Sequence, residues 1–194
     1  MGEFLDLTAV DWTWSADKKR ESILNELRTV GFFLITNVPG HDEEQLIKWG
    51  KWLCGLSKEE KDRVTKRFWN PTNENRYRGL APFIDNDPSH VEIYDMGMDF
   101  DKVTPEEQEY SIHEQTPWPV WCEEGIQFMA FMKHQYQLRC TVAREILRHI
   151  ADGFELESGF FDKWYERDTL STFSVNHYCP RSRGITLNDQ ITGE

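Results

Sequence analysis

The sequence has no closely spaced cysteine pair, no excess of basic charge and no long apolar run. Its basic residues number 22 against 34 acidic ones, a formal net charge of -12, which argues against nucleic acid or an anionic membrane as a partner. Apolar runs such as residues 32–35 are far too short to cross a bilayer. The first seven residues carry neither a basic region nor an apolar signal core. We therefore expect a cytoplasmic protein without nucleic-acid or membrane partners.

Motifs of several enzyme classes are absent as well. The sequence lacks a glycine-rich phosphate loop, a Gly-x-Ser-x-Gly elbow and a His-Glu-x-x-His helix. Its four cysteines form no Cys-x-x-Cys pair, which favours reduced thiols over a disulfide or zinc framework: Cys54, Cys122, Cys140 and Cys179. What is present is typical of a packed globule, namely 194 residues of which 13% are aromatic, including eight tryptophans.

Local patterns predict an alternation of helices and short strands. Ser15 is a suitable N-cap for a helix whose apolar residues recur at helical spacing, and Gly31 supplies the stop. Residues 32–36 then read as a buried strand. Ser57 and Glu60 have the spacing of a capping box and predict another helix.

The second half of the chain contains the longest predicted element. Residues 68–88 lack periodicity and predict a loop, and residues 90–100 predict a strand with Val91, Ile93 and Met96 directed inward. An apolar stripe from about residue 120 to about residue 153 predicts a helix roughly 50 Å long. Residues 157–164 predict a short final helix.

Residues 168–183 read as one strand with two different faces. Alternation places Leu170, Thr172, Ser174, Asn176 and Tyr178 on one face, and Ser171, Phe173, Val175 and His177 on the other. Pro180 ends the strand because it has no N–H to donate. The first face ends in an amide and a phenol. Such a face belongs either to an ordinary edge strand in solvent or to a wet ligand cavity.

This last strand resembles a known family. The run TLSTFSVNHYCPR is similar to the first barrel strand of the isopenicillin N synthase-like non-haem iron(II), 2-oxoglutarate-dependent oxygenases, where an Asn-x-Tyr-x-Pro segment enters the jelly roll. This chain has Cys179 where the family more often has proline. The earlier run ILNELRTVGFFLITNVPG resembles the family's N-terminal helix-then-strand signature. The resemblance extends from Phe4 to about Arg183 in matching order.

The resemblance implies an α+β fold that contains part of a double-stranded β-helix. Residues 4–118 would be the mixed, largely helical N-terminal domain, and residues 119–167 the long spine helix with a short helix after it. Residues 168–194 would begin the jelly roll, with the barrel truncated after its first strand.

The resemblance also implies particular site residues. Asn176 and Tyr178 would lie beside 2-oxoglutarate, with the Tyr178 hydroxyl donating to a carboxylate oxygen. Arg78, in an Arg-Gly segment like that near the mouth of the family's pocket, would fork onto a small organic substrate. A solvated loop arginine is the commoner finding at such a position.

The iron ligands of the family have no counterpart in residues 1–194. They are two imidazoles and one carboxylate, supplied by a His-x-Asp or His-x-Glu pair and a later histidine, with an Arg-x-Ser motif following. His41-x-Glu43 falls at a helix N-terminus. His90-x-Glu92 has the right spacing, but His149 falls on the long helix rather than on a second barrel strand. We therefore assign no metal ligand and no catalytic residue to this chain.

The sequence thus predicts the N-terminal part of an iron(II)/2-oxoglutarate-dependent oxygenase that is catalytically incomplete by itself. Iron(II) and 2-oxoglutarate are expected for the complete family member, and neither is expected to bind tightly to this chain alone. The alternative is a truncated, non-catalytic form that acts as a binding or interaction protein. A relative that uses iron and O₂ without 2-oxoglutarate also remains open, as do the substrate and the oligomeric state.

Overall fold

The computed structural model describes residues 7–84, 89–99, 110–157, 159–165 and 171–180. In chain order the elements are β1 (Ala9–Asp11), α1 (Ala16–Thr29), β2 (Leu34–Thr36), α2 (Glu43–Cys54), α3 (Lys58–Val64), β3 (Gly79–Ala81), β4 (Val91–Gly97), α4 (Glu123–Gly153) and β5 (Thr172–Tyr178). Single 3-10 turns occur at Ser111–His113 and Asp162–Trp164. The chain divides into unit 1, Met1–Glu43 with His134–Asp168, and unit 2, Glu44–Lys133 with Thr169–Glu194.

Unit 1 packs α1 and the second part of α4 on a two-stranded parallel sheet. β1 pairs with β2 so that Ala9 lies opposite Leu34. As predicted, the Ser15 side chain caps α1 by accepting from Lys18 N at 3.4 Å. Gly31 follows the helix with φ +90°, which a residue without Cβ adopts readily. The buried core residues are Val10, Trp12 and Ile23, with Val142, Ile146 and Ile150 of α4 packed against them.

Unit 2 contains the antiparallel sheet β3-β4-β5 with helices packed on one face. The predicted capping box of α3 is confirmed, because the Ser57 and Glu60 side chains each bond the other's backbone N–H. The core combines residues of α2, α3, α4 and the sheet: Trp49, Leu53, Val64, Leu80, Tyr94, Met96, Phe128 and Met132. Its aromatic rings meet mostly edge to face, as at Trp49 and Phe128, whose centroids are 6.4 Å apart.

One face assignment made from the sequence is wrong in part: Met96 faces inward as predicted, but Val91 and Ile93 do not. The inward residues of β4 are Glu92, Tyr94 and Met96, which are 5%, 1% and 1% exposed. Val91 and Ile93 therefore lie on the opposite face, since successive side chains of a strand alternate. The apolar side chains of residues 91 and 93 suggested that the odd-numbered residues face the core. The pairing register of a strand determines which alternate residues face the core along its whole length.

Several boundaries also differ from the prediction. The predicted helix from about residue 120 is α4, which begins at Glu123. The predicted helix at residues 157–164 is a 3-10 turn at Asp162–Trp164, and within residues 168–183 the described strand is Thr172–Tyr178. The predicted loop at residues 68–88 contains β3, a strand formed by pairing with β4. No helix in the described ranges is long and apolar enough to cross a membrane.

Candidate functional site

Asn176 and Tyr178 lie on the exposed face of β5. Tyr178 is 72% exposed, while Phe173 and Val175 of the opposite face pack against the core of unit 2. The predicted division of this strand into two faces is confirmed for the described residues, and Leu170, also assigned to the first face, lies outside them. β5 pairs with β4 on one side, placing Asn176 opposite Ile93 and Tyr178 opposite Val91. An amide and a phenol are therefore available side by side to a ligand, and their assignment to 2-oxoglutarate stays a prediction.

Arg78 precedes β3 and is 5% exposed. Its Nη1 donates to the carbonyl oxygen of Met98 at 2.6 Å and lies 3.6 Å from Oδ1 of Asp99. Its backbone N–H donates to Oε1 of Glu114 at 2.6 Å. Arg78 also lines a groove of about 230 Å³ together with Lys66. The guanidinium thus has protein partners of its own, and a role towards substrate remains a prediction.

Asp99 is the centre of the network that holds Arg78. Its Oδ1 accepts from the backbone N–H of Thr116 at 2.9 Å, and its Oδ2 accepts from Nε1 of Trp118 at 2.6 Å and from Nζ of Lys133 at 2.7 Å. Burial alone would raise the pKa of this carboxyl, but the bonds from Lys133, Thr116 and Trp118 outweigh it and hold the pKa below its usual value. Asp99 is therefore the anion that neutralises a buried arginine.

The histidine and glutamate pairs noted in the sequence do not assemble into a metal site. His90 has its ring 5.1 Å from that of Phe83, and its buried Nδ1 has no hydrogen-bond partner among the described residues. His149 lies in unit 1 with Nε2 3.6 Å from Glu145, and burial lowers its pKa. His41 and Glu43 are both exposed at the start of α2.

Glu92 instead belongs to a cluster that the sequence analysis missed. Its two carboxylate oxygens each lie 3.0 Å from Nζ of Lys61, and Oε1 lies 2.9 Å from Nδ1 of His177. The thiol of Cys54 completes a group whose ligand atoms all lie within 4.8 Å of one another. Sγ of Cys179 lies 3.8 Å from Nδ1 of His177. Glu92 lies opposite His177 because β4 pairs with β5, and these strands are far apart in the sequence. No local sequence motif therefore predicts the cluster.

This cluster is not arranged as a nucleophilic triad. Burial, together with the nearby charge of Glu92, raises the pKa of the Cys54 thiol to about 11. A cysteine nucleophile needs the thiolate, which a buried thiol beside a carboxylate does not form at neutral pH. The arrangement can instead hold a proton or a cation at the buried carboxylate.

The residues present do not fit the iron site of a 2-oxoglutarate oxygenase. Such a site needs two imidazoles and a carboxylate on one face of the metal. In the part of the chain that the structure describes, Cys54, Glu92 and His177 are the one group of three or more clustered metal-ligand side chains. It contains a single imidazole, where the iron site needs two. No step of iron chemistry is therefore derived from these residues.

The fold of the described elements is similar to part of the fold of solved 2OG-Fe(II) oxygenase structures. No known family model and no curated protein matches the sequence. Among solved structures, a protein from Caulobacter crescentus assigned to the 2OG-Fe(II) oxygenase family is 17% identical with a TM-score of 0.67, over 92% of this chain and 58% of that chain.

Structures of a full-length protein from Neurospora crassa are also similar. Its complex with alpha-KG and 5-formyluracil is 23% identical with a TM-score of 0.57, over 80% of this chain and 47% of that chain. Its complex with alpha-KG and thymine is 21% identical with a TM-score of 0.58, over 80% of this chain and 50% of that chain. This chain thus spans about half the length of the proteins it matches. At these identities the likeness concerns the fold.

Proposed function

We propose that residues 1–194 form the N-terminal part of an isopenicillin N synthase-like iron(II)/2-oxoglutarate-dependent oxygenase that oxidises a small organic substrate. The observation that carries this proposal is the exposed face of β5, where Asn176 and Tyr178 stand together in a fold shared with 2OG-Fe(II) oxygenases. In such enzymes the iron couples decarboxylation of 2-oxoglutarate to oxidation of the substrate. The Neurospora crassa protein supports the small-molecule class, because it was crystallised with alpha-KG together with thymine or 5-formyluracil.

Asn176 and Tyr178 are proposed to position the co-substrate. Side chains two residues apart on one strand face are about 7 Å apart, which is comparable to the length of a five-carbon dicarboxylate. Tyr178 donates its hydroxyl hydrogen to a carboxylate oxygen, and the Asn176 amide donates to a neighbouring oxygen. Both donors are neutral, so this pair by itself leaves the two negative charges of 2-oxoglutarate uncompensated.

Arg78 is proposed to contact an anionic group of the substrate at the groove that it lines with Lys66. Its bond to Met98 and its proximity to Asp99 restrict the guanidinium to one place. A fixed, planar fork of donors binds a carboxylate with less loss of entropy than a mobile lysine would. The same contacts also stabilise the protein.

Residues 1–194 are further proposed not to complete the iron site themselves. The support is the donor set: all six histidines of the sequence lie in the described ranges, and one of them, His177, belongs to a group of three potential ligands. The domain division at residues 4–118, 119–167 and 168–194, with a barrel truncated after its first strand, is part of the same proposal.

The first test is the intact mass of the endogenous protein compared with 23.0 kDa. A substantially heavier product with a His-x-Asp pair beyond residue 194 supports the oxygenase. A product of 23 kDa instead favours the alternative, a non-catalytic binding or interaction protein that presents the exposed face of β5.

The second test uses purified residues 1–194 with iron(II), ascorbate and 2-oxoglutarate. We expect no iron-dependent formation of succinate, and clear turnover would refute the proposed incompleteness. In a heavier, active protein, Tyr178→Phe should raise the KM for 2-oxoglutarate about 10-fold or more, since a hydrogen bond to a charged group contributes about 1.5–3 kcal/mol. Tyr110→Phe, at another exposed tyrosine, is the matched control. Equal KM values in the two variants would exclude the assigned role of Tyr178.

A further inference from the structure

Four side chains of types that bind zinc lie where the core-facing side of the sheet meets the end of α2. Cys54 is the last residue of α2, Glu92 lies in β4, His177 lies in β5, and Cys179 follows β5. We propose that these four residues form a tetrahedral site for Zn²⁺. The site faces away from Asn176 and Tyr178, since His177 alternates with them along β5, and it does not rest on the proposed oxygenase function.

The distances are close to those of a zinc site. The ligand atoms of Cys54, Glu92 and His177 lie within 4.8 Å of one another, and Sγ of Cys179 is 3.8 Å from Nδ1 of His177. Bonds of about 2.0–2.3 Å to sulfur, nitrogen and oxygen place the ligands of a tetrahedral zinc ion about 3.3–3.8 Å apart. The three ligand atoms of Cys54, Glu92 and His177 thus need to approach one another by about 1 Å to reach one ion, and Cys179, beside His177, is proposed as the fourth ligand.

The donor set selects the kind of metal. Two thiols, an imidazole and a carboxylate form a mixed sulfur, nitrogen and oxygen shell, which suits zinc and disfavours magnesium or calcium. Binding releases the thiol protons and replaces them with the metal. The charge of Zn²⁺ also offsets the cost of forming a thiolate beside Glu92, which a buried thiol otherwise avoids by staying neutral.

The cluster is buried at the carboxylate and open at the imidazole. The Glu92 side chain is 6% exposed, whereas that of His177 is 41% exposed. A groove of about 450 Å³ reaches both Cys54 and His177, with Gly50 and Gly55 among its lining residues. These two glycines place no side chain in the entry. A buried anionic donor and an open route from solvent are two requirements of a metal site that fills after folding.

Lys61 is the competitor for this position and supplies the sharpest test. Its Nζ lies 3.0 Å from both oxygens of Glu92, so an ammonium group occupies the place of a cation in the metal-free protein. If the cluster serves only to neutralise a buried carboxylate, removal of Lys61 destabilises the fold and creates no metal affinity. If the cluster is a zinc site, removal of Lys61 frees Glu92 and strengthens zinc binding.

The direct experiment is titration of the reduced, metal-free chain with Co²⁺, followed by displacement with Zn²⁺. We expect one equivalent to bind with thiolate-to-cobalt charge-transfer absorption and the intense visible bands of tetrahedral cobalt, and we expect Zn²⁺ to abolish both. Absence of the charge-transfer absorption, or stoichiometry of zero, overturns the proposal. The unsubstituted chain gives this answer, so it does not depend on whether a variant folds.

Substitutions then assign the ligands by competition against a chromophoric zinc chelator. Cys54→Ser and His177→Gln should each weaken zinc binding at least about 10-fold, since even partners that only orient a ligand contribute about 10- to 100-fold. Lys61→Met should strengthen it. Cys140→Ser, at a free cysteine of unit 1, is the matched control and should leave affinity unchanged. Equal affinities of the Cys54→Ser and Cys140→Ser variants, or no gain in Lys61→Met, would contradict the site as drawn. Circular dichroism of each variant confirms that it is folded.

Discussion

Replacement of Asp99 by asparagine tests whether the charge network beside Arg78 stabilises unit 2. The carboxylate accepts from Thr116, Trp118 and Lys133 and lies 3.6 Å from the Arg78 guanidinium. Asparagine has nearly the same shape but is neutral, and one of its two terminal atoms is a donor. The substitution therefore removes the charge and points an NH₂ donor at groups that can only donate.

The magnitude follows from the exposure of each partner. Arg78 is 5% exposed, and removal of one member of a buried ion pair costs about 3–5 kcal/mol because the other charge stays buried. The Lys133 side chain is 42% exposed, so water compensates for much of its loss. The asparagine oxygen still accepts from Thr116 or Trp118, which retains about 1 kcal/mol. We expect Asp99→Asn to lower the free energy of unfolding by about 3 kcal/mol.

Urea unfolding followed by circular dichroism measures this difference, with Asp162→Asn as the control. Asp162 pairs with Arg148 at 3.0 Å on the surface, where side-chain exposures are 39% and 58%, and should lose less than about 1 kcal/mol. Because the folded-state pKa of Asp99 is held below 3.8, its stabilisation is fully present above that pH and is lost as the pH falls through the lower folded value. The gap between wild type and Asp99→Asn should therefore shrink in acid. A loss no larger than that of Asp162→Asn would refute the reasoning.

Three further outcomes are expected. Phe128→Ala should destabilise the protein by about 3–5 kcal/mol in urea unfolding, because this fully buried ring is the centre of the unit 2 aromatic core. Gly79→Ala should cost about 2–4 kcal/mol and lower the melting temperature, since Gly79 has φ +109° and a Cβ there would press on the carbonyl oxygen of Val64. Cys54, with a pKa of about 11, should react with iodoacetamide about 100-fold more slowly than an ordinary thiol near pH 8.5, and its rate should keep rising towards pH 11.

Each of these outcomes has a matched comparison. Phe154→Ala removes a ring that is 62% exposed and should change stability by about 0.5 kcal/mol or less. Gly31→Ala keeps the positive φ but meets no atom within 4 Å, so it should cost only about 1 kcal/mol. A free cysteine peptide is the reference for Cys54. Equal losses of stability in Phe128→Ala and Phe154→Ala, or in Gly79→Ala and Gly31→Ala, would contradict the reasoning from burial and contacts. So would an unfolding curve for Phe128→Ala that overlies that of the wild type.

The helices and their caps could be predicted from the sequence because their interactions are local. Ser15, Ser57 and Glu60 each bond a backbone group within three residues, and Gly31 adopts its turn through its own lack of a side chain. The apolar stripe of α4 needs only the period of the helix. Alternation likewise assigned Asn176 and Tyr178 to one face before any partner strand was known. Short-range geometry alone determines these features.

Only the tertiary structure determined which strands pair and which distant side chains meet. β3 exists because β4 lies beside it, and Arg78 is buried because Asp99 and Met98 meet it there. The register between β4 and β5 determines which residues of β4 face the core. It also brings Glu92 next to His177, 85 positions away in the sequence. Register depends on packing summed over whole strands, so no short motif carries it. The composition of the Cys54 cluster therefore became visible only when α2, β4 and β5 were placed together.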